Sequence, residues 1–548
     1  MKRIVIVGGG FSGVYAAQAL ERSLGRRSDY ELVLFARENY FVFQPMLPEV
    51  ISGTIGLTDV VSPLRRLLTR THVHVRDVES IDVVGQTVSA APGFRPHAHV
   101  VAYDHLILAP GTVTDFRGLP GLPEHALPFK NLSDALEVRS RVIRALEEAD
   151  LEAHDPELQR QLLTFVIAGG GFSGVEVAAE LNDFVRDVVR HYHHIDPRAV
   201  RVALVHSGDE ILPEMAPRLR RFAARILRRR GVELVLGQRL KAATGASAIL
   251  GDGQVIPTKT LISTIQASPH PLIDALALPK TRNGRLKVDR MLRVEGHENV
   301  WALGDCASVP TKDGTPCPPT AQHATRQAAL VARNILASLD SRPLGAFDFG
   351  GLGKMGSLGR RNAVAEVFGL RLSGFIAWFL WRTIYLAKLP GWGRRIKVAT
   401  AWTLDLLLAP ELVELRLGGT GGAMHEHFEP GQDVFAEGEI GDRVYILLSG
   451  LAEVVRHGPL VDGQPGAERV LARLGPGECF GEMALLESAP RNASVRCVEA
   501  MTVLSIPKRE FGLLAANVPG LRASFEQVTA RRGLPMPTPP PPPPPPAA

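Results

Sequence analysis

The chain has 548 residues, of which 45% are hydrophobic, so its length and composition predict about three globular domains with sizeable cores. Its formal net charge of +5 does not require a nucleic-acid partner, and none is expected. The four cysteines provide no disulfide framework and match no zinc-site spacing, which excludes a disulfide scaffold, predicts no metal site and favours a reducing compartment.

The first predicted element is a β-branched strand that runs through a glycine turn into a helix. Residues 4–14 read IVIVGGGFSGV and contain the motif G-x-G-x-x-G at Gly8, Gly10 and Gly13. The first glycine makes a tight turn, the second lets a pyrophosphate approach the backbone, and the third lets the helix pack on the strand. The chain begins with cationic residues, but the apolar run after them is too short for a signal peptide, so none is predicted.

The same pattern recurs at residues 165–175, which read FVIAGGGFSGV. Two copies about one domain apart predict two Rossmann-like folds, each with phosphates at a helix N-terminus. We expect a doubly wound α/β region over residues 1–345, in which a nicotinamide subdomain at about 160–275 is inserted into an FAD domain. The candidate contacts are Gly8, Gly10, Phe11, Ser12 and Gly13 for FAD, and Gly169, Gly171, Phe172, Ser173 and Gly174 for NAD(P)H.

Two further strand ends favour FAD at the first site. An apolar strand over residues 299–303 leads to Asp305, whose carboxylate can accept hydrogen bonds from sugar or ribityl hydroxyls. Another strand, from Tyr103, ends at the small-residue turn at Gly111, where backbone can approach a ligand.

The second strand of each predicted Rossmann-like fold departs from the usual sequence pattern of dinucleotide-binding folds. An acidic residue that binds a ribose is expected at each end, but alanine stands there in the first fold, where Arg37 or Glu38 would contact FAD instead. In the second fold His206 takes the place and is a candidate NAD(P)H contact. Without a carboxylate to repel a 2′-phosphate, NADPH stays open beside NADH. Gln266 also replaces a usual small turn residue and is a candidate nicotinamide contact.

Four segments carry a more specific resemblance to a known family. They read FQPML at 43–47, GVE at 174–176, PTAQHATRQ at 319–327 and GSLGR at 356–360. From residue 1 to about 416 the chain resembles the two-dinucleotide-domain flavoprotein reductases, and within them the type II NADH:quinone oxidoreductases. The resemblance implies that NADH reduces FAD and leaves, and that a quinone then reoxidises the flavin.

The resemblance also implies roles for single residues. The third segment looks like the family's quinone-side motif A-Q-x-A-x-Q-Q, with Arg326 in place of one glutamine. It assigns Gln322 to flavin or quinone carbonyls, and Gln44 is a further flavin contact. A helix that starts near Ala321 would direct its positive end at the flavin. Glu176 would line the flavin face and pass protons to the quinone; alternatively, it is a carboxylate near a helix N-terminus that favours the dipole.

Other members of this superfamily fit less well. Disulfide reductases need a redox cysteine pair, but no cysteine precedes Cys306, and sulfide:quinone reductases need two well-separated cysteines, whereas Cys306 and Cys317 are close in sequence. Cys306 directly follows Asp305, so it lies near the flavin or is a buried small apolar residue.

Residues 346–416 are rich in Trp, Phe, Leu and Arg and are predicted to form amphipathic helices. Neither of its two apolar stretches, from Phe375 and from Trp392, supplies roughly 18 uninterrupted apolar residues for a membrane span. Tryptophans with flanking cations favour helices that lie in a membrane interface, on the cytoplasmic face, where they could collect a quinone. The alternative is packing on the core or at the seam of a homodimer.

The C-terminal region begins after a glycine-rich linker at 417–423 and is predicted to form a β-roll over residues 424–532, followed by a proline-rich tail at 533–548. FGEMALL at 480–486 and PRNASV at 490–495 closely resemble the phosphate-binding cassette of cyclic-nucleotide-binding domains. In this cassette Glu482 takes the ribose 2′-OH and Arg491 pairs with the cyclic phosphate. The candidate contacts for cAMP or cGMP are Gly481, Glu482, Met483, Ala484, Arg491, Asn492, Ala493 and Ser494.

Two classes of function follow from the sequence. The first is a membrane-associated FAD-dependent NAD(P)H:quinone oxidoreductase that a cyclic nucleotide regulates. The second is a redox and cyclic-nucleotide sensor with little turnover, and a flavoprotein reductase with a non-quinone acceptor is a further alternative.

Overall fold

Two parallel five-stranded sheets form the centre of the protein in this computed structural model. The structure describes residues 1–25, 29–91, 99–114, 116, 118–265, 268–405, 408, 411–415, 424–439, 443–457, 468–481 and 491–507. The first sheet has the strand order Val300–Ala302, His105–Leu108, Lys2–Val7, Tyr30–Ala36 and His72–Val75. Its inner strands are continuous apolar runs because parallel strands are covered on both faces, and Ile4, Val5 and Ile6 are fully buried.

The second sheet repeats this arrangement with the order Ala126–Pro128, Thr260–Ser263, Thr164–Ala168, Arg201–His206 and Val232–Leu236. The predicted pair of Rossmann-like folds is therefore confirmed. The edge strand Ala126–Pro128 precedes the expected start of the inserted subdomain near residue 160, so this sheet also draws on the chain that enters it.

Twelve α-helices are present in the described residues. In chain order they are α1 (Phe11–Leu24), α2 (Pro48–Ser52), α3 (Leu64–Leu67), α4 (Leu122–His125), α5 (Leu132–Leu151), α6 (Pro156–Leu162), α7 (Phe172–Val188), α8 (Pro217–Arg229), α9 (Pro271–Ala275), α10 (Ala321–Leu339), α11 (Phe375–Lys388) and α12 (Trp392–Leu404). The motif helices α1 and α7 each follow the central strand of one sheet.

The glycine turns before α1 and α7 have the same geometry. Gly8 and Gly169 have φ of 123° and 118°, a conformation that L side chains rarely adopt. A Cβ at Gly13 would lie 1.9 Å from the carbonyl oxygen of Gly8, and one at Gly174 would lie 1.8 Å from that of Gly169. Since no side chain fits at these positions, the spacing of the glycines fixes how closely each helix packs on its strand.

Smaller antiparallel sheets surround the two large ones. They pair Val78–Asp82, Thr87–Ala90 and His99–Ala102; Leu240–Thr244, Ser247–Leu250 and Val255–Pro257; Tyr40–Val42 with Val61–Pro63; and Thr112–Val113 with Ser268–Pro269. The short parallel pair is Leu286–Lys287 with Ala307–Ser308.

Residues 346–416 are not helical throughout, which corrects the prediction of helices alone. A three-stranded antiparallel sheet, Gly353–Ser357, Ala363–Val367 and Leu370–Gly374, precedes α11. The alanines of its central strand pack against Ala377 of α11. Small side chains of this kind do not produce the alternation of large apolar residues that marks a strand in a sequence.

Buried charge joins the two C-terminal helices to the body of the protein. Glu49 of α2 is 3% exposed and lies 3.4 Å from the guanidinium of Arg382 in α11. It also accepts a hydrogen bond of 3.0 Å from Trp402 Nε1 in α12. The Arg382 guanidinium stacks 4.5 Å from the Trp402 ring, so one arginine contacts all three helices. Among the described residues, no helix is long and apolar enough to cross a bilayer.

The C-terminal region forms an antiparallel sheet, as expected for a β-roll. Its order is Met424–Phe428, Ser494–Pro507, Arg443–His457 and Glu468–Leu474, with Asp433–Phe435 and Cys479–Phe480 paired along it. Its core is separate from that of the two large sheets and includes Phe435, Tyr445 and Met501. The predicted linker at 417–423 and tail at 533–548 lie outside the described residues.

Candidate functional site

A cavity of about 830 Å³ lies where the two glycine turns, α10, the three-stranded sheet and α11 meet. Phe11 from the first turn and Phe172 from the second turn both line it, so the two dinucleotide motifs open onto one space. The other predicted site residues that line this cavity are Gln44, Ser173, Glu176, Ala321, Gln322 and Arg326.

Both glycine turns fit the pyrophosphate of a dinucleotide. Gly10 and Gly171 are the N-cap residues of α1 and α7, and a Cβ at either position would meet no atom within 4 Å. The space next to each N-cap is therefore open, and a phosphate there can accept hydrogen bonds from the first N–H groups of the helix. FAD fits the first of these turns because Asp305 and Ser12 lie beside it, as described next.

Asp305 lies in a short 3₁₀ turn, Gly304–Cys306, that is held against α1 and α10. A Cβ at Gly304 would lie 2.1 Å from Ser12 Oγ of α1. The Gly304 N–H donates to Oε1 of buried Gln327 in α10 over 2.9 Å. Gln327 was not among the predicted site residues, although it ends the quinone-side segment. It fixes the turn that presents Asp305.

Cys306 takes the structural role that the sequence left open. It is fully buried, and its thiol donates to the carbonyl oxygen of Leu108 over 3.3 Å. Burial raises the pKa of this thiol to about 12, so it stays protonated and unreactive.

Lys130 is a cavity residue that sequence reasoning missed. Its backbone carbonyl accepts from Gln44 Nε2 over 3.3 Å, and its ammonium contacts Thr112 Oγ1. Burial lowers the pKa of Lys130, and the charge of Asp305 partly restores it. The only sequence signal was its place just before the Asn131 cap of α5.

Glu176 is buried in the wall of the cavity. Its Oε1 accepts a hydrogen bond of 3.0 Å from the backbone N–H of Ser357. Burial raises its pKa to about 8, and the neighbouring carboxyls of Glu180 and Glu49 contribute in the same direction. The first turn of α7 holds no acidic residue, since Glu176 lies in the second turn. The alternative of a carboxylate that favours the helix dipole placed Glu176 nearer the N-terminus of α7 than the structure does.

Gln322 and Arg326 project from the first turns of α10. Gln322 accepts from the Leu352 N–H over 3.0 Å and donates to the carbonyl of Gly353 over 3.1 Å. Its amide therefore fastens α10 to the three-stranded sheet, and one N–H and one lone pair remain for a ligand. The Arg326 guanidinium stacks 3.9 Å from the centre of the Phe349 ring.

The remaining predicted dinucleotide contacts lie away from the cavity wall. Arg37 is exposed just after the strand Tyr30–Ala36, and Gly111 has φ of 75° with no atom within 4 Å of a Cβ. His206 packs against the second glycine turn, and its Nδ1 accepts from the Gly170 N–H over 3.2 Å. Gln266 lies outside the described residues.

The predicted cyclic-nucleotide residues are only partly described, since Glu482, Met483 and Ala484 fall outside the described residues. Arg491 is buried, stacks 4.0 Å from the Phe435 ring, and donates to the carbonyl oxygens of Gly481 and Arg443 over 2.5 and 2.9 Å. Ser494 Oγ accepts from the Glu437 N–H over 2.9 Å. Ala493 is buried beside it, and Asn492 is exposed.

The C-terminal sheet packs directly on the part of the protein that contains the second large sheet. Its first strand packs on α4 and on the strand Leu240–Thr244. His125 Nε2 lies 3.0 Å from both the N–H and the carbonyl oxygen of His427, so its tautomer decides which bond forms. Gln432 adds a contact of 3.5 Å to Thr244. No sequence signal pointed to this interface.

Comparison with known families divides the chain into three matching regions. Residues 2–328 match the pyridine nucleotide-disulphide oxidoreductase family, residues 352–409 match the NDH2 C-terminal domain, and residues 425–517 match the cyclic nucleotide-binding domain.

Curated relatives are similar over most of the chain. The type II NADH:quinone oxidoreductase Ndh of Mycobacterium tuberculosis is 33% identical over 423 residues, which cover 74% of this chain and 88% of that protein. The demethylphylloquinone reductase NdbB of Synechocystis is 33% identical over 407 residues, covering 73% and 95%. Among solved structures, NDH2 from Plasmodium falciparum in complex with NADH matches with a TM-score of 0.70 at 18% identity, covering 75% of this chain and 99% of that one.

The raised pKa of Glu176 predicts a pH-dependent stability. Between about pH 4.5 and 8 the folded protein holds a proton on Glu176 that the unfolded chain releases, so this contribution to stability is lost as the pH rises to about 8. We expect Glu176→Gln to lessen the fall in unfolding free energy over this range by up to about 1.4 kcal/mol per pH unit. Urea denaturation at several pH values measures the free energy of unfolding of both proteins. Glu157→Gln, at an exposed site, is the control, and an unchanged slope in Glu176→Gln would contradict the assignment.

Proposed function

Because the chain belongs to the type II NADH:quinone oxidoreductase family, we propose that it transfers two electrons from NADH, or NADPH, through bound FAD to a quinone. The observation that carries this proposal is the single cavity onto which both dinucleotide turns open, with buried Glu176 in its wall. One space reached from both sides suits a flavin that meets the nicotinamide and the quinone in turn.

FAD supplies the redox chemistry, and the protein binds and orients it. The N-terminus of α1 holds the pyrophosphate, and Asp305 accepts hydrogen bonds from sugar or ribityl hydroxyls. The N-terminus of α10, at Ala321, stabilises negative charge at the edge of the ring. Gln44 and Lys130 line the same cavity as Tyr385 and Lys388 of α11.

Glu176 is the proton donor to the quinone in this proposal. With a pKa of about 8, it is mostly protonated at neutral pH and close enough to that pH to give up its proton. The backbone N–H of Ser357 bonds its carboxylate, so the deprotonated form keeps a partner after transfer.

His206 is suited to contact the ribose of either nicotinamide nucleotide. Since its Nδ1 accepts from the Gly170 N–H, the neutral ring carries its proton on Nε2 and can donate to a ribose hydroxyl or to a 2′-phosphate. This arrangement supports use of both NADH and NADPH, because no carboxylate at this position repels the phosphate.

Two variants separate flavin binding from quinone reduction. We expect Asp305→Ala to purify without the yellow flavin, because the sugar or ribityl hydroxyls lose their acceptor. Glu176→Gln should keep the flavin and its reduction by NADH but slow quinone reduction by about 100-fold or more, the usual worth of a general acid. Anaerobic stopped-flow spectroscopy measures each half-reaction. A wild-type rate of quinone reduction in Glu176→Gln would remove this residue from the chemistry.

The outer faces of α11 and α12 support docking on a membrane surface. Ile376 and Phe379 of α11 are 67% and 61% exposed, and Trp392 and Ile396 of α12 are 77% and 63% exposed. The Arg395 guanidinium stacks on the Trp392 ring, so aromatic and cationic groups alternate as they do at an interface. We place this face on the cytoplasmic side, since all four cysteines are free thiols.

Replacing Ile376, Phe379 and Ile396 together by serine should abolish sedimentation with anionic lipid vesicles. The triple variant Val84→Ser, Val100→Ser, Leu151→Ser is the matched control, because these side chains are also exposed but lie elsewhere. If the first variant still sediments with vesicles, the docking face is wrong; if it changes oligomeric state instead, the face is a homodimer seam.

We also propose that a cyclic nucleotide binds the C-terminal region and changes the rate of the reductase. Arg491 would exchange its carbonyl partners for the cyclic phosphate. The strand that follows it, Ser494–Pro507, reaches Thr502, whose Oγ1 lies 3.3 Å from His427 Nδ1. His427 bonds His125, which lies five positions before cavity residue Lys130, so the ligand can favour one docking contact over another.

Calorimetry on the full chain with cAMP and with cGMP tests binding, and turnover at saturating nucleotide tests coupling. Arg491→Lys should bind at least about tenfold more weakly, since lysine cannot offer a bidentate contact. His125→Ala should bind normally but lose the change in rate, which typical coupling puts at about 5- to 150-fold. Absence of binding rejects the pocket, and tight binding without any change in turnover rejects regulation.

A further inference from the structure

Three carboxyl groups are buried together behind the cavity. Glu49, Glu176 and Glu180 are 3%, 9% and 7% exposed, although glutamate is seldom buried without a purpose. Glu176 alone reaches the cavity, and Glu180 lies one helical turn further along α7 on the same face. Burial raises the pKa of Glu49 to about 8 and raises the pKa of Glu180 as well. The role proposed for Glu176 does not explain why Glu180 and Glu49 are buried beside it.

Two hydroxyl groups connect this cluster to the surface. Ser52, at the end of α2, hydrogen-bonds Glu180, and its Oγ lies 3.0 Å from Thr54 Oγ1. Thr54 in turn hydrogen-bonds Asp405, the exposed residue that follows α12. Ser52 Oγ is also 3.0 Å from the carbonyl oxygen of Glu49, so its hydrogen has two acceptors and can change between them.

We propose that a relay of four side chains carries protons from solvent to Glu176 at the cavity: Asp405, Thr54, Ser52 and Glu180. Each hydroxyl receives a proton on its oxygen from the outer neighbour and gives its own proton to the inner one. Glu180 then reloads Glu176 across one helical turn.

The proton balance of the reaction requires such a supply. Reduction of a quinone to a quinol takes up two electrons and two protons, and oxidation of NADH releases two electrons and one proton. One proton per turnover therefore comes from solvent, and Glu176 must regain it after each donation. The inference thus rests on the proposed quinone reductase function.

Charged side chains around the relay act on the pKa values of its carboxyls. Arg382 lowers the pKa of Glu180, Glu49 and Asp405, whereas burial raises all three. The other ionisable groups that act on the relay are Arg230 on Glu180, Arg360 on Asp405, and Tyr385, which faces Glu176. The positive charge of Arg382 therefore opposes the effect of burial and favours release of a proton from each carboxyl.

Thr54 offers the sharpest test, because valine has the same shape and no hydroxyl. In the holoenzyme, Thr54→Val should slow quinone reduction by about tenfold or more and show a larger slowing at alkaline pH. Thr54→Ser should restore the rate. Flavin reduction by NADH and electron transfer to ferricyanide, which takes up no proton, should stay unchanged. Thr403→Val in α12, whose hydroxyl bonds only the Ala399 carbonyl in its own helix, is the control.

Infrared spectroscopy follows the relay without turnover. The carbonyl band of protonated buried carboxyls shifts when they exchange with D₂O, and we expect this exchange to be slower in Thr54→Val and in Asp405→Asn than in the wild type or Thr54→Ser. Unchanged exchange in both variants overturns the relay, and so does a loss of rate that Thr54→Ser fails to restore. If the wild type reduces no quinone, the proposed function fails, while the infrared comparison still decides the relay.

Discussion

Close contact of backbone at the two glycine turns is the constraint on which the site depends. At Gly13 and Gly174 the helix passes so near the preceding turn that no Cβ fits, and this contact fixes where each helix begins. Both helix N-termini then open toward the same cavity, with Phe11 and Phe172 in its wall. Every other feature of the reductase site is arranged around this meeting point, including the Asp305 turn that Gln327 holds in place.

Contacts of the Arg382 side chain fix the position of the two C-terminal helices. Arg382 contacts Glu49 and stacks on Trp378 and Trp402, which ties α11 and α12 to α2. Burial raises the pKa of Glu49 to about 8, and this buried carboxyl has polar partners in both Arg382 and Trp402. One result is that the apolar outer faces of α11 and α12 stay exposed. Another is that the carboxyl groups of Glu49, Glu176 and Glu180 are buried next to the cavity, where they can hold protons for the reaction.

The first strand of the C-terminal sheet contacts the body at α4 and at the strand Leu240–Thr244. The strand Thr112–Val113 pairs with Ser268–Pro269, and α4 follows this strand in the chain and precedes the cavity residue Lys130. A contact at α4 is well placed to influence how the two Rossmann-like folds sit around the flavin. In this interface the Nε2 atom of His125 faces both the N–H and the carbonyl oxygen of His427, and its tautomer decides which of the two bonds forms.

The sequence by itself determined the two Rossmann-like folds and the C-terminal β-roll, because glycine spacing and apolar strand runs are local signals that depend on backbone geometry. It also identified eight of the residues that line the cavity, among them Phe11, Glu176 and Arg326, through the two glycine motifs and the segments that carry the family resemblance. It missed the strands before α11, since the small side chains of Ala363 and Ala365 leave no clear alternation. Only the tertiary structure decided that Glu176 is buried together with Glu49 and Glu180, and that His125 meets His427. Those contacts join residues that are far apart in the chain, and their pKa values and partners depend on burial, which no local pattern specifies.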